Sequence, residues 1–207
     1  MIKYAILGAS GHGKVVADAL FQMTNIKDII FFDDAYPSAK NIGCWSIEGN
    51  TQDLIRRQSE FHGAVVAIGN NFIRYAKQLD LVLNGVKIIS VVHPKAVVSP
   101  FATIDAGTVI LAGAIVNSDA SVAAACIINS NAVVEHDCKL SEAVHISPGA
   151  NLGGGVVIGQ HAWVGIGSCV RQMVRVGNNV IIGAGSVVVK DVVDNITVVG
   201  CPAKAMR

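Results

Sequence analysis

Charged side chains are scarce in this sequence. Only 15% of the 207 residues are Asp, Glu, Lys or Arg, the formal net charge is +1, and the lysines and arginines are scattered. A surface that binds nucleic acid needs concentrated positive charge. The composition therefore predicts no nucleic-acid partner. Because 52% of the residues are hydrophobic, a chain of this length can form one or two domains with a substantial core.

Paired cysteines are absent as well. The five cysteines form no C-x-x-C pair and are odd in number, a pattern typical of free thiols in a reducing compartment rather than of a disulfide framework. The opening residues, MIKYAIL, lack the basic region, apolar region and cleavage site of a signal peptide. We therefore expect a cytoplasmic protein.

An unbroken apolar run of membrane-spanning length is also missing. Residues 143–170 contain no Asp, Glu, Lys or Arg, and that length would suffice to cross a bilayer. Pro148, Asn151, Gln160 and a dense set of glycines interrupt the stretch. We therefore expect no membrane span.

The sequence is rich in one feature, a six-residue repeat in its second half. From Val98 to Val188 every sixth residue is Val, Ile or Leu, without an insertion, and a small or β-branched residue stands two positions before each. A period of six fits neither an α-helix nor an alternating strand. It predicts a parallel β-helix in which each hexad forms one strand and one corner, and three hexads complete a coil.

The first 92 residues have the pattern of a small α/β domain. Four apolar runs predict strands, at residues 2–7, 28–34, 63–71 and 86–92. A helix is predicted after the first strand, with one face formed by Val15, Val16, Ala19, Leu20 and Met23. Alternating strands and helices imply a Rossmann-like parallel sheet. We place the boundary near His93, giving predicted domains at residues 1–92 and 93–207.

The loop after the first predicted strand has the sequence GASGHGK. From Gly8 to Lys14 it matches a phosphate-binding P-loop, but Val15 stands where Ser or Thr would bind Mg²⁺. Its place at the start of a helix suits an anion held by backbone N–H groups. The loop therefore favours nucleotide binding over NTP hydrolysis, with a tight turn that binds nothing as the alternative.

Polar residues end the next two predicted strands. Asp33 and Asp34 follow the second strand, and Gly69 and Asn70 follow the third. An α/β domain places ribose- or base-binding side chains at such positions. We therefore predict that these residues contact a nucleotide, with loop capping by the two acids as the alternative.

Three histidines lie in the repeat at positions predicted to point outward: His136, His145 and His161. Glu135 and Asp137 flank His136, and a carboxylate beside an imidazole can fix its tautomer and raise its basicity. His136 is thus a candidate general base, whereas His161 is expected to be an ordinary solvated side chain. The nine-residue gap between His136 and His145 differs from the close H-x-x-x-x-H pair of β-helical carbonic anhydrases, so no metal is expected.

Seven segments occur along the chain in this order: GASGHGKVV, FFDD, AIGNN, HPKAVVSP, VVEHDC, HISPGANLGGGVVIG and GCPAK. In these the chain resembles the bacterial acetyltransferases that modify nucleotide-activated 4-amino sugars, a family that includes sialic acid O-acetyltransferases. The resemblance implies a mixed fold, with a small N-terminal Rossmann-like α/β domain followed by a left-handed parallel β-helix. It also implies a homotrimer, acetyl-CoA as co-substrate between neighbouring β-helices, and a sugar nucleotide on the α/β domain.

The resemblance implies a role for each candidate residue. His136 would be catalytic, and Asp137 would hold its ring. The acetyl-CoA site would include His145, Gly154, Ile166 and Ala184, with the N–H of Gly154 facing the thioester oxygen. The sugar-nucleotide site would include Gly11, His12, Gly13, Asp33, Asp34, Gly69 and Asn70, with His12 beside the phosphates.

Residues and resemblance together predict an N-acetyltransferase. It would move acetyl from acetyl-CoA to the 4-amino group of a nucleotide-linked 4-amino-4,6-dideoxy sugar by direct attack, with His136 as base and no metal. Two alternatives remain open: a sialic acid O-acetyltransferase on the same scaffold, and a non-catalytic β-helix binding protein.

Overall fold

The computed structural model describes residues 2–24 and 28–206. The chain divides into two compact units, Met1–Pro94 and Lys95–Arg207. Within the described residues, no helix combines the length and hydropathy needed to cross a membrane.

The first unit is an α/β domain. Its elements are β1 (Tyr4–Leu7), α1 (Gly11–Thr24), β2 (Ile29–Phe32), β3 (Asn41–Ile42), β4 (Trp45–Ser46), α2 (Thr51–Arg56), a 3₁₀ turn (Gln58–Glu60), β5 (Gly63–Val66), α3 (Asn71–Leu83) and β6 (Val91–Val92). Strands β2, β1 and β5 form a parallel sheet in that order. Apolar side chains of these strands and of α1 are buried in its core.

Most of the predicted elements are confirmed, with two differences. The predicted strand at 86–92 contains only an isolated bridge from Ile88 to Ala64, followed by the short β6. Helix α1 buries Val16, but the prediction was wrong for two members of its apolar face. Val15 is 45% exposed because it lies at the edge of that face, and Met23 is 37% exposed in the last turn.

The second unit is the predicted parallel β-helix, and that fold class is confirmed. Its strands are β7 (Val97–Val98), β8 (Thr103–Ile104), β9 (Val109–Ile110), β10 (Ile115–Val116), β11 (Ser121–Val122), β12 (Ile127–Ile128), β13 (Val133–Val134), β14 (Lys139–Leu140), β15 (His145–Ile146), β16 (Asn151–Leu152), β17 (Val157–Ile158), β18 (Trp163–Val164), β19 (Cys169–Val170), β20 (Arg175–Val176), β21 (Ile181–Ile182), β22 (Val187–Val188), β23 (Thr197–Val199) and β24 (Lys204–Ala205). In β7 to β22 the second residue is the aliphatic member of a hexad. That residue is buried from Ile110 onward and partly exposed at Val98 and Ile104.

From β7 to β19, each strand pairs in parallel with the strand three further along the chain. Val133 lies opposite Ile115 in one neighbouring coil and opposite Asn151 in the other, so the register equals three hexads. Residues that are three hexads apart therefore stack at the same place on successive coils. Beyond Val188 the register shortens, because Val176 bridges to Val192 and not to Asp194, which is three hexads further along.

The corners of the β-helix share one backbone conformation. Three residues before the aliphatic residue of most hexads, φ is positive, and the residue there is usually Gly, Asn or Asp. These residues tolerate the left-handed region better than other residues do. Asp137 occupies one such corner with φ of 60°. The sharp turn there explains how two adjacent side chains, His136 and Asp137, can meet.

Candidate active site

His136 and Asp137 lie at the corner between β13 and β14. Nδ1 of His136 is 2.7 Å from a carboxylate oxygen of Asp137, and both side chains are more than half exposed. This hydrogen bond raises the pKa of His136 above its ordinary value. With the Nδ1 proton directed at the carboxylate, Nε2 carries the free lone pair that a general base needs.

Gly154 lies one coil beyond His136 and stacks on it, as the pairing of Val134 with Leu152 requires. A Cβ added to Gly154 would lie only 2.5 Å from Nε2 of His136. The backbone does not itself require glycine, because φ of Gly154 is not positive and alanine occupies the equivalent hexad position at Ala112 and Ala124. Glycine is needed at this position because the imidazole occupies the space.

A cavity of about 630 Å³ surrounds His136 and Gly154. The backbone N–H of Gly154 makes no hydrogen bond within the described part of the chain, so it is available to a ligand. Lys139 and Arg175 add positive charge to the cavity wall, and Asp119 adds negative charge. Sequence reasoning missed these three side chains, although Lys139 and Arg175 hold the same place in their hexads, which puts them on one face, two coils apart.

The other residues assigned to acetyl-CoA lie at a different corner. His145, Ile166 and Ala184 line a second cavity of about 460 Å³, next to the strands β15, β18 and β21. His145 points outward but is only 6% exposed. Trp163 packs on its ring with centroids 4.6 Å apart, and the side-chain amide of Asn129 lies 3.2 Å from its Nε2. Within one chain, the structure does not bring His145 to the corner that holds His136.

The predicted sugar-nucleotide residues lie at the carboxyl edge of the three-stranded sheet. Helix α1 begins at Gly11 after β1, Asp33 follows β2, and Asn70 caps α3 after β5 by accepting a hydrogen bond from the N–H of Ile73. Parallel strands end at one edge, so these loops converge there, the usual ligand-binding edge of an α/β domain. Asp33 also links two of the loops, since its carboxylate accepts a hydrogen bond from Ala9 N–H at 2.7 Å.

The loop glycines differ in what they do. Gly8 has φ of 115°, and a Cβ there would approach the carbonyl of Ala67 to 2.8 Å. A Cβ on Gly13 would collide with the carbonyl of Gly8, so Gly13 serves the close packing of α1 on the loop. Gly11 and Gly69 have open space beside them instead, which leaves room for a ligand.

Asp34 is already engaged by the protein. Its carboxylate accepts hydrogen bonds from the N–H and hydroxyl of Thr51, at 2.9 and 2.6 Å, and lies 2.6 Å from Nζ of Lys77. Partial burial raises the pKa of Asp34, but the hydrogen bonds from Lys77 and Thr51 outweigh that effect and hold it below its usual range. Asp33 and Asp34 therefore both make the loop-capping contacts that the alternative interpretation expected. Contact of these residues with a nucleotide remains a prediction.

Arg74 lies close enough to His12, a residue of the glycine loop, to change the pKa of its imidazole. Burial and the positive charge of Arg74 lower the pKa of His12 to about 4, so its ring is neutral at physiological pH. Its Nε2 is buried and has no hydrogen-bond partner among the described residues. Arg74 is fully buried and donates to the carbonyls of Ile68 and Gly69. Sequence reasoning missed Arg74, which lies in the first turn of α3.

Residues 3–78 match the family model described as the PglD N-terminal domain. The acetyltransferase domain of PglB from Neisseria gonorrhoeae FA1090, solved in complex with acetyl coenzyme A, is 39% identical, with 99% of this chain and 98% of that chain covered and a TM-score of 0.94. A mutant perosamine N-acetyltransferase from Caulobacter crescentus, in complex with CoA and GDP-perosamine, is 33% identical over 99% of this chain and 97% of that chain, with a TM-score of 0.93. The chain belongs to this family of nucleotide-sugar N-acetyltransferases.

A curated member of the family gives a shorter match. The UDP-N-acetylbacillosamine N-acetyltransferase of Bacillus subtilis (strain 168) is 37% identical over 114 residues, which is 54% of this chain and 52% of that protein. The chain thus matches about half the length of that relative. At the level of the family, the predictions of an acetyltransferase and of acetyl-CoA as co-substrate are confirmed. Within the described residues, no group of three or more His, Cys, Asp or Glu side chains could hold a metal ion.

Replacing Gly154 by alanine tests the contact between the two coils. We expect Gly154→Ala to lower kcat by at least about 10²-fold, the scale of losing a general base, because the new methyl displaces the His136 ring. Gln160→Ala, at the equivalent place in the next hexad, should retain kcat. Steady-state kinetics and thermal unfolding of both variants provide the measurement. A Gly154→Ala variant with the wild-type kcat would show that catalysis does not require Nε2 of His136 to lie beside Gly154.

Proposed function

We propose that this chain transfers the acetyl group of acetyl-CoA to the 4-amino group of a nucleotide-linked 4-amino-4,6-dideoxy sugar, with His136 as general base. The observation that carries the proposal is the close approach of Nε2 of His136 to Gly154, in a cavity that also holds a backbone N–H without a hydrogen-bond partner in the described residues. The C. crescentus relative, solved with CoA and GDP-perosamine, supports this pair of substrates.

The chemistry requires one base and one oxyanion donor. The amine nitrogen attacks the thioester carbonyl, and Nε2 of His136 accepts the proton that the amine loses as the C–N bond forms. The Asp137 carboxylate stabilises the resulting imidazolium. The N–H of Gly154 holds the oxygen of the tetrahedral intermediate. When the C–S bond breaks, CoA leaves as a thiolate, and because a free thiol has a pKa of about 8.5, the leaving group needs little help from an acid.

The first unit would hold the sugar nucleotide. Its diphosphate would lie at the N-terminus of α1 beside Gly11, Gly13 and His12, where backbone N–H groups and the helix dipole favour an anion. Nε2 of the neutral His12 has no hydrogen-bond partner within the described residues. It could therefore donate a hydrogen bond to a phosphate oxygen of the bound nucleotide. Gly69 and Asn70 would contact the acceptor from the neighbouring loop. Asp33 and Asp34 would meet the ribose or base with the lone pairs left over from their internal hydrogen bonds.

A homotrimer would complete the acetyl-CoA site. His145, Ile166 and Ala184 lie at another corner than His136, so one acetyl-CoA molecule can contact both groups only if two chains supply them. The outward positions of the face formed by β7, β10 and β13 are apolar: Val97, Ile115 and Val133. Val97 is 63% exposed in the single chain, and a neighbouring β-helix would cover such a face. Since acetyl-CoA and sugar nucleotides are cytoplasmic metabolites, we place the enzyme in the cytoplasm.

An acceptor screen tests the proposed function. The protein is incubated with acetyl-CoA and UDP-, dTDP- or GDP-linked 4-amino sugars, or with sialic acid, and CoA release is followed. We expect turnover with an amino-sugar nucleotide, and a kcat lower by about 10²–10⁴-fold in His136→Ala, the usual contribution of a general base. His161→Asn serves as the control on another corner and should stay active. Turnover of sialic acid alone, or more than half of the wild-type kcat in His136→Ala, would contradict the proposal.

The pH profile tests the pairing of His136 with Asp137. Only the unprotonated imidazole accepts a proton, so kcat/KM should rise as the pH passes upward through the pKa of His136. Because the hydrogen bond to Asp137 raises that pKa above 6.5, we expect the midpoint of the rise above that pH. Asp137→Asn removes the carboxylate, so its midpoint should move to lower pH and its plateau should fall. An unchanged midpoint in Asp137→Asn would show that the carboxylate does not act on the ring.

A further inference from the structure

Four inward side chains of the β-helix make the same type of hydrogen bond. Each stands two residues before the aliphatic residue of its hexad and donates to a carbonyl oxygen in the next coil. The pairs are Thr108 to Ala123 at 3.0 Å, Cys126 to Ser141 at 3.2 Å, Cys138 to Gly153 at 3.3 Å and Ser168 to Gly183 at 2.8 Å. Both hydroxyl and thiol groups therefore act as donors at this position.

The bond from Cys138 ends in the active site. Its acceptor, the carbonyl oxygen of Gly153, belongs to the same peptide group as the N–H of Gly154. Within the described residues no backbone N–H bonds that oxygen, so the thiol supplies its hydrogen bond. Because a peptide group is planar, a contact that fixes its oxygen also fixes the direction of the N–H at the other end.

The backbone around Gly153 would be flexible without such a contact. Residues 153–155 are three consecutive glycines, the residue type with the greatest backbone freedom. The amides on either side are held, since Gly153 N–H donates to the carbonyl of Val170 at 2.9 Å and Gly155 N–H donates to the carbonyl of His136 at 2.8 Å. The peptide group between Gly153 and Gly154 has no such backbone hydrogen bond, and the thiol of Cys138 holds it instead.

We propose that Cys138 is a positioning residue for acetyl transfer, whose thiol aligns the N–H of Gly154 with the oxyanion by hydrogen bonding to the carbonyl of Gly153. The inference rests on the proposed function, in which Gly154 is the oxyanion donor. A hydrogen bond to the carbonyl also polarises the peptide group, which makes its N–H a stronger donor.

The thiol acts as a donor and not as a nucleophile. Cys138 is fully buried, and burial raises the pKa of its thiol above the ordinary value. The S–H group therefore stays protonated at neutral pH and keeps its hydrogen bond. A covalent acetyl-cysteine would require an exposed thiolate, which this position does not offer.

Cys126 provides a matched control. It is also fully buried and makes the same S–H bond, but its acceptor, Ser141, lies at the corner after β14, away from His136 and Gly154. Cys126→Ala and Cys138→Ala delete the same atoms from equivalent inward positions. Their effects on packing should therefore be similar, and a difference in catalysis reports on the peptide that each thiol holds.

The experiment compares kcat, KM and the unfolding temperature of these variants. We expect Cys138→Ala to lower kcat by about tenfold, less than the 10²–10³-fold typical of deleting an oxyanion donor outright, with both KM values nearly unchanged. Cys126→Ala should keep kcat within about twofold of wild type, with a similar fall in unfolding temperature. Cys138→Ser, which retains a donor as Ser168 does, should recover most of the loss.

Cys138→Val provides a second variant without a donor, in case Cys138→Ala fails to fold. Valine occupies the same hexad position at Val144 and Val156, so it should fold while lacking a donor, and its kcat should match that of Cys138→Ala. Equal kcat values for the Cys138 and Cys126 alanine variants, or no advantage of Cys138→Ser over Cys138→Val, would overturn the positioning role while wild-type activity upholds the proposed function. A wild-type protein without acetyl transfer would overturn both.

Discussion

The parallel hydrogen-bond ladder between coils determines where the candidate site side chains of the β-helix lie. Between β7 and β22 each strand pairs with the strand three hexads away, so a residue at a corner there meets its counterpart in the next coil. This places His136 over Gly154, with Lys139 and Arg175 on the adjoining face. A shorter register, such as the one that follows Val188, would separate the imidazole from the glycine.

Two features of the corner turn this stacking into a site. The positive φ of Asp137 bends the chain so that its carboxylate reaches the ring of the preceding residue, a contact that a straight strand would not allow because successive side chains point to opposite faces. The missing side chain at Gly154 leaves the space that Nε2 needs and exposes a backbone donor. The pair His136–Asp137 and the free N–H of Gly154, to which we assign the proposed base and oxyanion donor, are thus products of the same coil geometry.

Much of the β-helix could be predicted because its repeat is strictly local. The inward aliphatic positions depend only on a six-residue period, and the acidic neighbours of His136 marked it as a candidate base. Burial of His145 could not be predicted, because Trp163 and Asn129 cover it from other coils. In the first unit, Arg74 and Lys77 reach loops outside their own helix, and a pattern read along one chain does not record such contacts.

Acyl transfer at the corner shared by His136 and Gly154 is tested most directly by a crystal structure of the protein with acetyl-CoA. We expect the thioester carbonyl oxygen about 3 Å from the backbone nitrogen of Gly154, with the carbonyl carbon open to attack from the side of His136. A thioester bound at a different corner, with no contact to the N–H of Gly154, would contradict this assignment.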